Sequence, residues 1–380
     1  MTATSLLSGA RMAFVTLFSL LAASGQAQNQ PADPAFPRLD QAVKQLMDSA
    51  NVPGLSMAWI QKGQLAYRQA YGFTKADSTQ RVNSNTVFEA ASLTKPLFAY
   101  AVLQLVEEGR LDLDKPLFEY LPYPDVADDE RYTKITARLV LSHRSGLPNW
   151  RKNRRSSQLA MLRSPGERFG YSGEGFVYLQ KVVEKITGEP INAFMENRVL
   201  KPLGMAHSSF VWQPAFAANY AQPHNESGEV EQKYQPAQAN MAYSLHTTAP
   251  DYARFVLALF NATGLKPATV DQMLSPQSQL PTRFSGSDTL AAGSYWGLGI
   301  GLEQTPAATY FWHWGDNGAF KCFIMANRTR KDAVVYFANG SNGLDFADEI
   351  VRQTVGGQHP AFAFLGINWR AQAGKTAKNR

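Results

Sequence analysis

The chain has 380 residues, 44% of them hydrophobic and 18% charged. That is enough apolar material for a large core in one or two domains, and too much for a disordered or collagen-like chain. Its 37 basic and 31 acidic residues give a net charge of +6, but the signs are interspersed, without the one-faced basic stripe that nucleic-acid binding requires. The single cysteine, Cys322, allows no internal disulfide, no dithiol redox pair and no cysteine-rich metal site.

Arg11 precedes an apolar run of 12 residues (MAFVTLFSLLAA, 12–23), and small residues follow it up to Gly25-Gln26-Ala27. This pattern is read as an export signal over residues 1–27, cleaved after Ala27. Twelve residues make about 18 Å of helix, short of the roughly 30 Å that a membrane anchor spans. No cysteine follows the run, so no lipid attachment is expected there. A periplasmic or secreted protein is the expectation.

Residues 36–50 place Leu39, Val43 and Leu46 at helical spacing, and residues 54–61 and 65–71 read as strands joined through Lys62-Gly63. Residues 92–109 (SLTKPLFAYAVLQLVEEG) read as a long helix stopped by Gly109, with Pro96 in its first turns. From 110 to 288 the pattern is helices and long loops. Strands return at 295–302, 308–314, 320–327 and 333–338, and an amphipathic segment follows at 344–354. Sheet residues at both ends of the chain predict an α+β fold. It is an antiparallel β-sheet flanked by terminal helices (28–109 and 289–357), with an inserted, mostly helical subdomain (110–288). Residues 358–380 read as a C-terminal tail, frayed or docked on the surface.

The chemistry centres on Ser92-Leu93-Thr94-Lys95. Side chains at i and i+3 of a helix share a face, so the Lys95 amine can meet the Ser92 hydroxyl. A lysine desolvated at a helix start can lose its proton and serve as the base that a serine nucleophile needs. The same four residues also describe a capping serine beside an exposed lysine, so the other blocks matter. Tyr171-Ser172-Gly173 sits on a turn before a helix. His313-Trp314-Gly315 ends a strand beside Asp316-Asn317-Gly318, where an edge strand can line a cleft and offer backbone N–H groups.

Taken in order, these blocks resemble the serine β-lactamase and penicillin-binding protein superfamily. Residues 139–148 (LVLSHRSGLP) and Tyr295-Trp296-Gly297-Leu298-Gly299 are similar to its class C branch, over residues 38–355. The resemblance implies a β-lactamase/transpeptidase-like fold. It implies Ser92 as acylated nucleophile, Lys95 as proton acceptor, and Tyr171 as partner base that protonates the leaving group and activates water. It also implies an oxyanion site from the N–H groups of Ser92 and Asp316, with His313, Trp314 and Gly315 beside the substrate. No cofactor or metal is called for, and the partner is a small-molecule or peptide substrate.

Two positions depart from the pattern. Gly173 stands where the family usually has an Asn that binds the substrate's acylamino group. His313-Trp314 replaces Lys-Thr, so the fixed positive charge for a substrate carboxylate gives way to an imidazole that is only partly charged near neutral pH. The expected reaction is amide or ester hydrolysis through an acyl-enzyme. The alternatives are a binder that acylates without efficient turnover, a class C β-lactamase or a D-Ala-D-Ala carboxypeptidase. Residues 151–155 (RKNRR) read as a solvated basic loop or a steering patch, and His143 as a tie between loop backbones. Six histidines form no zinc-binding pair, and Cys322 reads as a small buried hydrophobe.

Overall fold

The computed structural model describes residues 1, 36–153 and 158–368. Apart from Met1, the expected export segment lies outside them, as do Arg154, Arg155 and residues 369–380. From Leu39 onward the chain packs as one unit.

Helix α1 (Pro37–Ser49) buries Leu39, Val43 and Leu46, the spacing that predicts it. The hairpin of β1 (Gly54–Gln61) and β2 (Gln64–Gly72) turns at Lys62 and Gly63, both at positive φ, as a two-residue hairpin loop demands. Strand β3 (Phe88–Ala91) then leads through Ser92 into α2 (Thr94–Glu107). Every residue of α2 from Thr94 to Leu103 is buried, so this helix is apolar all round and runs through the core.

The middle of the chain supplies α3 (Ala137–Leu141), α4 (Gly173–Thr187), α5 (Ile191–Met195), β4 (Leu245–Thr247), α6 (Ala249–Asn261) and α7 (Pro267–Met273). Ser172 caps α4 by accepting from Gly175 N at 3.0 Å, and Gly188 closes it in the left-handed conformation. Strands β5 (Ser278–Pro281), β6 (Leu290–Trp296), β7 (Gly301–Gln304), β8 (Thr309–Asp316), β9 (Lys321–Asn327) and β10 (Asp332–Ala338) follow, then α8 (Ala347–Thr354) and α9 (Pro360–Leu365).

The large sheet has eight antiparallel strands in the order β2-β1-β10-β9-β8-β7-β6-β5. The N-terminal hairpin joins the C-terminal strands through β1 and β10, from Leu55↔Ala338 to Ile60↔Ala333. The α+β class and the antiparallel sheet with its helical insertion are as the sequence predicts.

Three details differ. Residues 295–302, expected as one strand, are the end of β6 and the start of β7. The chain reverses between them at residues 297–300, where Gly299 has φ +80 and a Cβ would stand 2.4 Å from Ala99 Cβ. Strand β5 lies before the expected boundary at residue 289 and forms the far edge of the sheet. Residues 360–365, expected in a tail, are the helix α9, with Ala361, Phe362 and Phe364 buried. Glu303 of β7 holds it: Oε2 lies 2.7 Å from His359 Nδ1, and Oε1 accepts from Ala361 N at 2.8 Å.

Candidate active site

Ala91, at the end of β3, has φ +47, a left-handed conformation that costs an alanine on the order of 1–3 kcal/mol. The turn it makes presents Ser92 ahead of α2. Thr94 Oγ1 donates to Ala91 O at 2.7 Å, and Leu245 N of β4 donates to that hydroxyl at 2.9 Å, so the turn is pinned from both sides. Lys95 Nζ lies 3.0 Å from Ser92 Oγ and donates to Ala242 O at 2.7 Å. The lysine is fully buried, and this desolvation lowers its pKa to about 7. Among the described residues no charge partner stands against that loss. The amine instead sits 4.8 Å from the centre of the Tyr171 ring and 5.5 Å from that of Phe176.

Tyr171 is held by its neighbours in sequence. Gly170 N donates to His143 O at 2.8 Å, and Ser172 N donates to His143 Nδ1 at 3.0 Å. The imidazole lies against the phenol, ring centres 4.1 Å apart. His143 is therefore neutral with its proton on Nε2, and burial drives its pKa well below the ordinary value. Burial pushes the Tyr171 pKa far above that of a free phenol, and Ser92 offsets this only in part. The phenol oxygen is buried and makes no hydrogen bond of normal geometry among the described residues.

Strand β8 brings up the third block. Strand β7 pairs with it only as far as Trp312, so residues 313–316 extend beyond β7. His313 is fully buried and its Nδ1 donates to Trp314 O at 2.7 Å. Burial, then the nearby Lys95, lowers its pKa to about 3. It is a neutral imidazole at neutral pH, so the partial positive charge expected at this position is absent. Gly315 is a close-approach position: a Cβ there would stand 2.5 Å from Ala90 O and 2.2 Å from Cys322 Sγ. Cys322 is buried and donates to Ala90 O at 3.1 Å.

Ser92, Tyr171, Trp314 and Asp316 line one cavity of about 700 Å³, together with Trp150 and Phe284. Lys95, His313 and Gly315 stand behind its wall. Trp314 faces the cavity, 5.0 Å from Tyr171 and 5.2 Å from Phe284 between ring centres. Phe284 N donates to Phe364 O at 2.7 Å, so α9 backs this aromatic wall. At Gly173 a Cβ would meet Trp150 at 2.6 Å, so the indole occupies the room that a side chain would need. Asn149 lines the cavity close by and accepts from Gly173 N at 3.0 Å through Oδ1.

The cationic side chain among the lining residues is Arg151, the first residue of the expected basic loop. It is bound to Glu174 at 2.8 Å and to Asp125 at 2.9 Å, which makes it a structural tie. Glu89, Glu174 and Asp316 are the lining acids; Asp316 pairs with Lys321 at 2.5 Å, and Glu89 accepts from Tyr220 at 3.1 Å and Asn317 at 2.8 Å.

Residues 39–355 match the family described as Beta-lactamase. The chain belongs to the β-lactamase family. Among curated members, the esterase EstB of Burkholderia gladioli is 31% identical over 224 residues, covering 52% of this chain and 54% of its own. Protein flp of Staphylococcus aureus (strain NCTC 8325 / PS 47) is 25% identical over 230 residues, covering 57% of this chain and 45% of its own. The chain thus spans about half the length of these relatives. A class C β-lactamase of known structure superimposes with a TM-score of 0.72, at 20% identity, over 85% of this chain and 97% of its own, which establishes the family fold.

The structure brings together Ser92, Lys95, Tyr171, Trp314 and Asp316, all singled out in the sequence. Sequence reasoning missed Ala242, whose carbonyl holds the Lys95 amine, and Phe284 and Phe364 in the aromatic wall. A backbone carbonyl leaves no mark in a sequence, and the two phenylalanines lie in stretches read as loop and tail.

Proposed function

We propose that this protein is a serine hydrolase that cleaves esters or amides of uncharged acyl groups through an acyl-enzyme on Ser92. The observation that carries the reading is the 3.0 Å approach of Lys95 Nζ to Ser92 Oγ, with the amine buried and its pKa lowered to about 7. Above that pH the amine is neutral and accepts the Ser92 proton as Oγ attacks the substrate carbonyl. The C–O or C–N bond to the leaving group then breaks, and the proton returns from the Lys95 ammonium to that group. Tyr171 remains a phenol at neutral pH, because its pKa is raised by burial and the neighbouring His313 is uncharged. It therefore relays this proton as a donor, rather than acting as a standing phenolate base. In deacylation the same groups run in reverse, with water in place of the alcohol or amine. The oxyanion is assigned to the N–H groups of Ser92 and Asp316.

The choice of uncharged acyl groups rests on the lining. Among the described residues, the lining arginine is neutralised twice and the third-block imidazole is uncharged, so a substrate carboxylate finds no free cation among them. Trp314, Trp150 and Phe284 offer an apolar wall instead. The reading includes export, supported by residues 1–27 of the sequence, and the mature protein should then be lighter by those residues in an intact-mass measurement.

The test is a panel of p-nitrophenyl esters, nitrocefin and D-alanyl peptides, beside a fluorophosphonate probe. Ester turnover should exceed that of the carboxylate-bearing substrates, and the probe should label once, at Ser92. Labelling that persists in Ser92→Ala, or faster cleavage of nitrocefin or D-alanyl peptides, overturns the proposal.

A further inference from the structure

A second cavity, of about 630 Å³, opens beside the β5–β6 hairpin, and it has the opposite electrostatic character to the first. Arg144, Arg163 and Arg168 line it, with Glu167 and Asp288 as its acids. Asp288 is spent on Arg168, 3.2 Å away at the exposed rim. The Glu167 carboxylate accepts from Ser164 N at 3.3 Å. Arg144 is half-buried and donates to two backbone carbonyls, Gln277 O at 3.3 Å and Gly166 O, and makes no ion pair among the described residues. Arg163, also half-buried, makes no ion pair or hydrogen bond among the described residues.

We propose that this cavity is an anion-binding site for a carboxylate- or phosphate-bearing ligand, held by the guanidinium groups of Arg163 and Arg144. A guanidinium presents five N–H donors in a planar fork that matches both kinds of anion, and Arg163 has all of its own available. The frame is preorganised: Gly166 N donates to Arg144 O at 2.8 Å and Leu162 N to Gly146 O at 2.9 Å, which locks the two arginine-bearing segments together. Beside Phe169, Pro281 and Leu290, the lining includes serine and glutamine side chains that can meet hydroxyls on a charged ligand. The residues between β5 and β6 border both cavities, Phe284 on the first and Ser287 on the second.

The full chain is titrated calorimetrically at low ionic strength with inorganic phosphate and, separately, with an oligogalacturonate. Saturable one-to-one binding that weakens with added salt is expected with at least one of them. Binding of phosphate alone points to a phosphoryl source, and binding of the uronate to an acidic saccharide. Arg163→Gln should raise the Kd by about 10-fold or more, the cost of one charged hydrogen bond, with an unchanged melting temperature. Arg168→Gln, at the rim, should change it less. Absence of saturable binding by both anions, or full affinity in the Arg163→Gln/Arg168→Gln double variant, overturns the proposal. Neither measurement reads hydrolysis, so the outcome is separate from that of the proposed reaction.

Discussion

Ser92 and Lys95 reach one another across a single turn of backbone, whereas Tyr171 is held in the same cavity by His143, from 29 positions away counted at Ser172. The first arrangement follows from helix geometry and the burial of α2. The second depends on two loops folding onto each other, and its ties run to backbone N–H groups on either side of the tyrosine. On the proposed mechanism, the Ser92–Lys95 corner is a local structure made reactive by desolvation, and the Tyr171 corner a tertiary one held in place by hydrogen bonds. If the proposed mechanism holds, damage to the two should differ in kind: loss at the first should prevent activation of the serine, and loss at the second should impair delivery of the proton.

The largest effect should come from the local pair. Lys95→Met should lower kcat/KM by about 10³- to 10⁴-fold, toward the upper end for a general base, measured on the best p-nitrophenyl ester. In the unaltered protein kcat/KM should rise with pH through about 7. The Lys95 amine there passes from ammonium to free base, and this limb should vanish in the variant. A profile that instead falls across neutral pH would break the comparison. Tyr171→Phe should cost roughly 10²-fold in kcat, with the Ser92 probe still reacting. His143→Leu should show the smallest loss, on the order of 10-fold in kcat at unchanged KM, below the 10²-fold that a full ångström of misplacement costs. His143→Asn should recover part of it, since Asn tolerates the φ of +55 found there. An equal loss in both His143 variants would mean that the ring does more than hold backbone.

The same division explains how much of the molecule was legible beforehand. Helix α1 carries a helical apolar period, and β1, α2 and the strands from β8 to β10 carry apolar runs of ordinary length, so the sequence predicts them closely. The three-residue β4 has no room for a period, and β5 is four residues at a sheet edge; both form because a neighbouring strand is there. Within the site, the i, i+3 spacing of Ser92 and Lys95 was readable. The neutrality of His313 was not, because an imidazole's charge is set by its surroundings, and total burial beside an amine appears only once the chain is folded. Trp150 over Gly173 is the same kind of fact: a missing side chain was visible, but not the one that moved into its room.

The buried link from Glu303 to His359 and Ala361 fastens the last described helix to the sheet, and that helix stands behind Trp314 and Phe284. Shortening the protein at Gly357 would leave the Ser92–Lys95 pair chemically whole while removing the support of the wall that we propose sorts substrates. A truncated product of that kind would trade discrimination for indiscriminate reactivity.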